Sequence, residues 1–114
     1  MATYQARLDT VFHALTDPTR RAVLARLSRG PASIGDLAQP FEMALPSFLK
    51  HIQQLEDSGW IVTRKTGRVR TCTIQAKTFR VAQDWLQSQR AVWEGRADRL
   101  EQFVNNRSHA KADE

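Results

Sequence analysis

The hydrophobic period of this chain changes at Gly59, and the change limits the folds that the chain can adopt. Over residues 45–55, apolar residues recur at spacings of three and four, which is typical of one face of an α-helix. Over residues 60–64 and 68–74, β-branched and aromatic residues alternate roughly, which is the period of β-strands. Residues 65–67, Lys-Thr-Gly, are suited to the turn between them. The chain is therefore predicted to form a helix followed directly by a β-hairpin.

The helix over residues 45–55 is predicted to be amphipathic. Its buried stripe is expected to contain Leu45, Phe48, Ile52 and Leu55, widened by Leu49. The opposite side carries compact or amide-bearing polar groups: Ser47, Lys50, His51, Gln53 and Gln54. Such groups can reach base edges and phosphates, so the segment is a candidate recognition helix. An ordinary amphipathic surface helix would show the same pattern, and only the neighbouring segments discriminate between the two.

Three shorter helices are predicted upstream. The first spans about residues 3–15. The second is expected to begin at Asp17, which can cap the helix, with Pro18 in its first turn. Ser33 and Asp36 form a Ser-x-x-Asp start for a short third helix. In the second helix, Val23, Leu24 and Leu27 are expected to be buried, and Arg20, Arg21, Arg26 and Arg29 to be exposed. A short helix, a tight turn, a second helix and then a hairpin form the order of a winged helix-turn-helix. The predicted fold is therefore mainly α with a small β-hairpin.

Excess positive charge is concentrated in residues 47–80. This segment contains seven Lys or Arg residues and two acids, so its net charge of +5 equals that of the whole chain. The predicted hairpin carries four of the cations: Arg64, Lys65, Arg68 and Arg70. Charge clusters are common on solvated surfaces, but this one adjoins the candidate recognition helix. It predicts contacts with a polyanion, namely the phosphates or minor groove of double-stranded DNA.

A long last helix is predicted over about residues 78–106, which contain no proline and only one glycine, Gly95. Its apolar residues fall near heptad spacing and exceed what so small a domain can bury. We therefore expect a homodimer through the long N- and C-terminal helices. The residues expected at the dimer interface are Leu8, Phe12, Leu86, Trp93, Ala97, Leu100 and Val104. The alternative is that the tryptophans of this helix pack on their own domain.

The chain is expected to form one domain over residues 1–106, with a DNA-reading part at about 17–76 and a flexible tail at 107–114. Without an 18-residue apolar run or a signal-peptide layout, the protein is expected to be cytoplasmic with no membrane partner. The single cysteine, Cys72, fits a reducing compartment and is either a redox-sensitive thiol or a buried strand residue. No phosphate loop, nucleophile–base set or metal-ligand spacing occurs, so no enzyme, metal site or cofactor is expected.

Several segments together resemble the ArsR family of bacterial winged-helix repressors. They are the run LTDPTRRAVL at 15–24, the helix start at 33–37, KHI at 50–52 with LE at 55–56, GWIV at 59–62 and the hairpin at 64–68. The resemblance implies a homodimeric regulator that binds a palindromic operator and usually releases it on meeting an effector. It places Ser47, Lys50, His51 and Gln54 in the major groove and the four hairpin cations on the wing.

The resemblance is to the metal-free branch of that family. Metal-sensing members have Cys-x-Cys-Asp-Leu where this chain has SIGDL at residues 33–37, so both thiolates are missing. The effector, an unknown small molecule if one exists, stays open; Trp85, Trp93 and Phe103 could line a cavity for it or form plain interface. The alternative function is a winged-helix protein–protein interaction module that does not read DNA, against which the cations of residues 47–80 argue.

Overall fold

The computed structural model describes the backbone of residues 2–112 and the side chains of residues 4–106. The elements are α1 (Ala2–Ala14), α2 (Pro18–Leu27), β1 (Ala32–Ser33), α3 (Ile34–Ala38), α4 (Leu45–Asp57), β2 (Ile61–Thr66), β3 (Val69–Ile74) and α5 (Ala76–Ala112). This order of helices around a small antiparallel sheet confirms the predicted winged helix-turn-helix. Backbone contacts divide the chain into two units, residues 1–82 and residues 83–114.

The C-terminal end of α1 is closed by hydrogen bonds from outside the helix. The last four carbonyls of a helix have no intrahelical partner. Here the Val11 carbonyl accepts from Trp60 Nε1 at 2.9 Å, and the Ala14 carbonyl accepts from Arg20 Nε at 2.7 Å. The His13 carbonyl accepts from Arg20 Nη2 at 3.2 Å. The side chains of Arg20, in the next helix, and of Trp60, 49 residues from Val11, thus fix where α1 ends.

The predicted helix starts at Asp17 and Ser33 are confirmed. The Asp17 carboxylate accepts from the Arg20 backbone N–H at 3.1 Å and caps α2, with Pro18 in the first turn. The Ser33 hydroxyl accepts from the Asp36 N–H at 3.1 Å and caps α3. Both caps satisfy a donor that the first helical turn leaves free.

The hydrophobic core of residues 1–82 lies between the helices and the sheet. Its largest fully buried side chains include Phe48 and Leu55 of α4, Val11 of α1 and Trp60, which follows α4. Trp60 also meets the Phe79 ring edge to face, with 4.8 Å between ring centroids. One residue therefore joins α1, the end of α4 and the first turns of α5.

The sheet has three strands in the order β1-β3-β2, where a two-stranded hairpin was predicted. Strand β1 pairs with β3 through Ala32 opposite Cys72. It has only two residues, too few to show an alternating pattern. The hairpin turn also differs from the prediction: β2 continues through Thr66, and the turn is Gly67-Arg68, with Gly67 at a φ of +64°.

Helix α5 is longer than the predicted last helix. It begins at Ala76 and continues through Ala112, whereas a flexible tail was predicted from residue 107. No proline or glycine follows Gly95, so the sequence has no helix terminator near residue 106. The last two residues of the predicted tail, 113 and 114, lie outside the described residues.

Candidate nucleic-acid interface

Helix α4 has the predicted amphipathic character over most of its length. Phe48, Ile52 and Leu55 are buried, and the helix ends where Gly59 adopts a φ of +83°. The predicted stripe is wrong at Leu45, which is 54% exposed, and Leu49 is 39% exposed. Leu45 is the first residue of the helix, three residues before the first buried position at Phe48. The exposed polar side carries Ser47, Lys50, Gln53 and Gln54, while the fifth predicted DNA contact, His51, is half-buried.

One flank of α4 faces α2, and a buried arginine connects the two helices. Arg20 is 5% exposed, so the prediction that it faces solvent is wrong. Its Nη1 donates to Gln54 Oε1 and lies 3.2 Å from His51 Nδ1. The charge can be buried because the guanidinium is hydrogen-bonded to α4 and to the end of α1. Arg20 thus fixes two predicted base-contacting side chains, a role that the sequence analysis missed.

Asp17 is part of the same connection. Its Oδ2 lies 3.6 Å from His51 Nδ1 in addition to capping α2. Burial acts to raise the pKa of the Asp17 carboxyl, but the backbone hydrogen bonds from Arg20 and Thr19, together with the charges of His51 and Arg20, outweigh it, and the pKa is lowered. A carboxylate is therefore retained beside the recognition helix.

The other flank of α4 faces the hairpin. Leu49, Gln53 and Glu56 line a small cavity together with Thr63 and Arg70. Gln53 Nε2 donates to Asp57 Oδ1 at 2.8 Å, and the Thr63 hydroxyl donates to Glu56. Gln53 therefore lies on the hairpin flank, apart from the side that carries His51 and Gln54.

The hairpin forms a wing with four exposed cations: Arg64, Lys65, Arg68 and Arg70. Lys65 lies directly opposite Arg70 in the strand register, and like charges in that position repel. In the part of the chain that the structure describes, the salt bridges join His51 to Asp17 and Arg90 to Glu94, so none neutralises the wing. The wing thus presents uncompensated positive charge beside α4, an arrangement suited to binding phosphates.

Comparison with known proteins assigns this arrangement to a family. A helix-turn-helix domain model matches residues 15–64, from the end of α1 into the wing. The structure also resembles the crystal structure of an ArsR family transcriptional regulator, with a TM-score of 0.77 and 60% sequence identity. The match covers 79% of this chain and 93% of that one. This chain belongs to the ArsR family of transcriptional regulators.

Two curated relatives are consistent with this membership of the ArsR family. The HTH-type transcriptional regulator Rv2034 of Mycobacterium tuberculosis is 34% identical over 67 residues, which are 59% of this chain and 62% of that protein. The transcriptional repressor SdpR of Bacillus subtilis is 28% identical over 79 residues, covering 69% of this chain and 88% of the repressor. The match thus spans less than two thirds of the first relative.

The predicted dimer residues of this ArsR-family chain fall into two groups. Leu8 and Phe12 are in α1, where Leu8 is 8% exposed and Phe12 packs on the hydrophobic core. Within residues 83–106, by contrast, the predicted residues are all exposed: Leu86, Trp93, Ala97, Leu100 and Val104. Four of these, with Arg96, Glu101 and Asn105, line one groove. Leu8 is therefore already buried within one protomer, whereas the α5 residues are exposed to solvent in it.

The described residues contain no group of three His, Cys, Asp or Glu that could hold a metal ion. His13 and His51 lie on α1 and α4, and the side chain of His109 is outside the described residues. Across the described chain, no helix combines the length and apolarity needed to cross a membrane.

Cys72 has the environment of the buried strand residue rather than of a reactive thiol. It is 0% exposed, and burial, with a smaller contribution from Glu56, raises the pKa of its thiol despite the charge of Arg70. We expect a thiol reagent such as a disulfide chromogen to react at least about 100-fold more slowly with the folded protein than in urea, since reaction requires opening of the sheet. Rapid stoichiometric reaction of the folded protein would contradict this assignment.

Proposed function

We propose that this ArsR-family protein is a homodimeric, sequence-specific DNA-binding repressor. The single observation that carries the proposal is the uncompensated wing beside the exposed polar side of α4. The wing cations contact phosphates and supply affinity, while Ser47, Lys50, His51 and Gln54 contact base edges and supply specificity. The curated relative named a transcriptional repressor supports the direction of regulation.

The proposed dimer rests on the apolar face of residues 83–106. Trp93, Ala97, Leu100 and Val104 recur at spacings of four, three and four, which is a heptad seam. Trp93 is 68% exposed and Leu100 is 64% exposed, although each would gain roughly 1.5–3 kcal/mol on full burial. A second copy of the same helix covers this face, so the protein has two recognition helices and binds a palindromic operator.

The dimer is tested by placing a charge in the seam. Leu100→Glu is expected to weaken dimerisation by about 100-fold or more, because two leucines lose burial and two carboxylates are brought together. Sedimentation velocity over a concentration series measures the dissociation constant. Gln102→Glu is the matched control: it adds the same charge on the opposite side of the helix and should leave the dimer intact. Equal dimerisation of the two variants would contradict the proposed seam.

DNA reading is tested by selecting binding sites from a pool of random duplexes. The expected product is an inverted repeat with half-sites one helical turn apart, about 34–36 Å, or a multiple of it. Specific readout requires that the selected duplex bind far more tightly than a scrambled one. If no sequence is enriched while the protein is folded and dimeric, the proposal fails and the protein-interaction module becomes the better account.

A further inference from the structure

The contacts of Arg20 determine which atoms of the recognition helix remain available to DNA. A guanidinium has five N–H donors, accepts no hydrogen bond and does not lose its proton. Its Nη1 is directed at His51 Nδ1 and at Gln54 Oε1, while Nε and Nη2 donate to the carbonyls of Ala14 and His13. Gln54 Oε1 accepts from Nη1, and His51 Nδ1 accepts from it when the ring is neutral.

This contact fixes the hydrogen-bonding character of His51. A neutral imidazole whose Nδ1 accepts must carry its proton on Nε2. If the ring gains a second proton, Nδ1–H can point to Asp17 Oδ2, which lies 3.6 Å away, and Nε2 still carries its hydrogen. His51 Nε2 is thus a donor in either protonation state.

The contact with Arg20 also limits how the Gln54 amide can hydrogen-bond to a base. A free glutamine reads adenine with both ends of its amide, accepting from N6 and donating to N7. Here the hydrogen bond from Arg20 turns the carbonyl end of the amide toward α2, so the end directed away from α2 is the Nε2 amide, which only donates. Lys50, exposed on the same helix, is also only a donor.

We propose that Arg20 is a positioning residue that makes this recognition helix a reader of guanine. By holding Nδ1 of His51 and Oε1 of Gln54 toward its guanidinium, it leaves these two side chains with their donors directed away from α2. Guanine is the base that presents two neighbouring acceptors, O6 and N7, in the major groove. This inference rests on the proposed DNA-binding function and adds to it the base class that each half-site must contain.

The first test alters the operator obtained by site selection. Replacing single guanines of a half-site by 7-deazaguanine removes the N7 acceptor without changing base pairing. For at least one guanine per half-site, we expect the affinity of the unaltered protein to fall about 10-fold or more, measured by fluorescence anisotropy. If every position tolerates 7-deazaguanine, the inference is overturned although the proposed function stands. If no operator can be selected at all, the proposed function fails as well.

The second test alters the protein at Gln54. Gln54→Glu keeps an oxygen for Arg20 but replaces the amide donors by an acceptor, so repeated site selection should yield cytosine in place of that guanine. Gln53→Glu, on the wing flank, introduces the same charge one residue away. It should weaken binding without changing the base selected. An unchanged guanine with Gln54→Glu would contradict the inference.

Arg20 itself is tested by Arg20→Met, which releases Oε1 and Nδ1. We expect the selected base to change from guanine toward adenine, because the Gln54 amide is then free to turn both its carbonyl and its NH2 group toward the base. A purely structural role for Arg20 would lower stability and affinity without changing the base preference. If the variant does not fold, Gln54→Glu and the deazaguanine substitutions decide the question alone.

Discussion

Replacing Arg64, Lys65, Arg68 and Arg70 together by alanine is expected to lower the affinity for operator DNA on the order of 1,000-fold at physiological salt. A dimer loses eight cations, none of which is neutralised by a salt bridge within the described residues. Each lost phosphate contact reduces the slope of log affinity against log salt by about 0.9, so the slope should fall by up to about 7. Anisotropy titrations at several salt concentrations measure both quantities.

The control for this variant keeps the charge and changes the side chain. A variant with lysine in place of Arg64, Arg68 and Arg70 should retain most of the operator affinity and of its salt dependence, since lysine also contacts phosphates. The alanine variant should remain dimeric and melt no lower than the unaltered protein, because the repulsion between Lys65 and Arg70 is removed. Operator affinity that survives the alanine replacements would show that the wing does not bind DNA.

Trp60→Ala is expected to lower the free energy of unfolding by about 3–5 kcal/mol, the range for removing a large buried aromatic side chain. Trp60 is 1% exposed, and its indole N–H is the donor to the Val11 carbonyl at 2.9 Å. The substitution leaves both a cavity and an unpaired carbonyl at the end of α1. Urea denaturation at fixed protein concentration measures the change, since dimerisation makes stability depend on concentration.

Trp60→Phe separates the contribution of packing from that of the hydrogen bond to Val11. Phenylalanine refills most of the volume and can still meet the Phe79 ring, but it cannot donate to Val11. We expect it to cost about 1–3 kcal/mol, clearly less than alanine. Equal losses for the two substitutions would mean that the hydrogen bond, and not the packing, is what holds α1 on the core.

The order of elements could be predicted because local chemistry agreed with the fold at each step. Asp17 and Ser33 carry the capping oxygens, Gly59 takes the left-handed conformation that ends α4, and the period changes directly after it. Strand β1 could not be predicted, because two residues contain no period and pairing with β3 is decided by the tertiary structure.

Arg20 shows where sequence reasoning failed and what could have corrected it. It precedes Val23, Leu24 and Leu27 by three, four and seven residues, so it lies on the buried stripe of α2. An arginine is rarely buried unless it is paired. Its partners, Gln54 and His51, are more than 30 residues away, and sequence spacing does not indicate such contacts. Leu45 failed in the opposite way: it continues the apolar stripe at the first residue of α4, but its side chain is 54% exposed.

The central claim, that α4 and the wing together read an operator, is tested most directly by anisotropy with the DNA upstream of the gene itself. Binding is measured at two salt concentrations, with and without an excess of unrelated duplex. The account predicts tight binding that resists the competitor and weakens steeply with salt. Weak binding that the competitor removes would contradict it, leaving a basic winged helix without base readout.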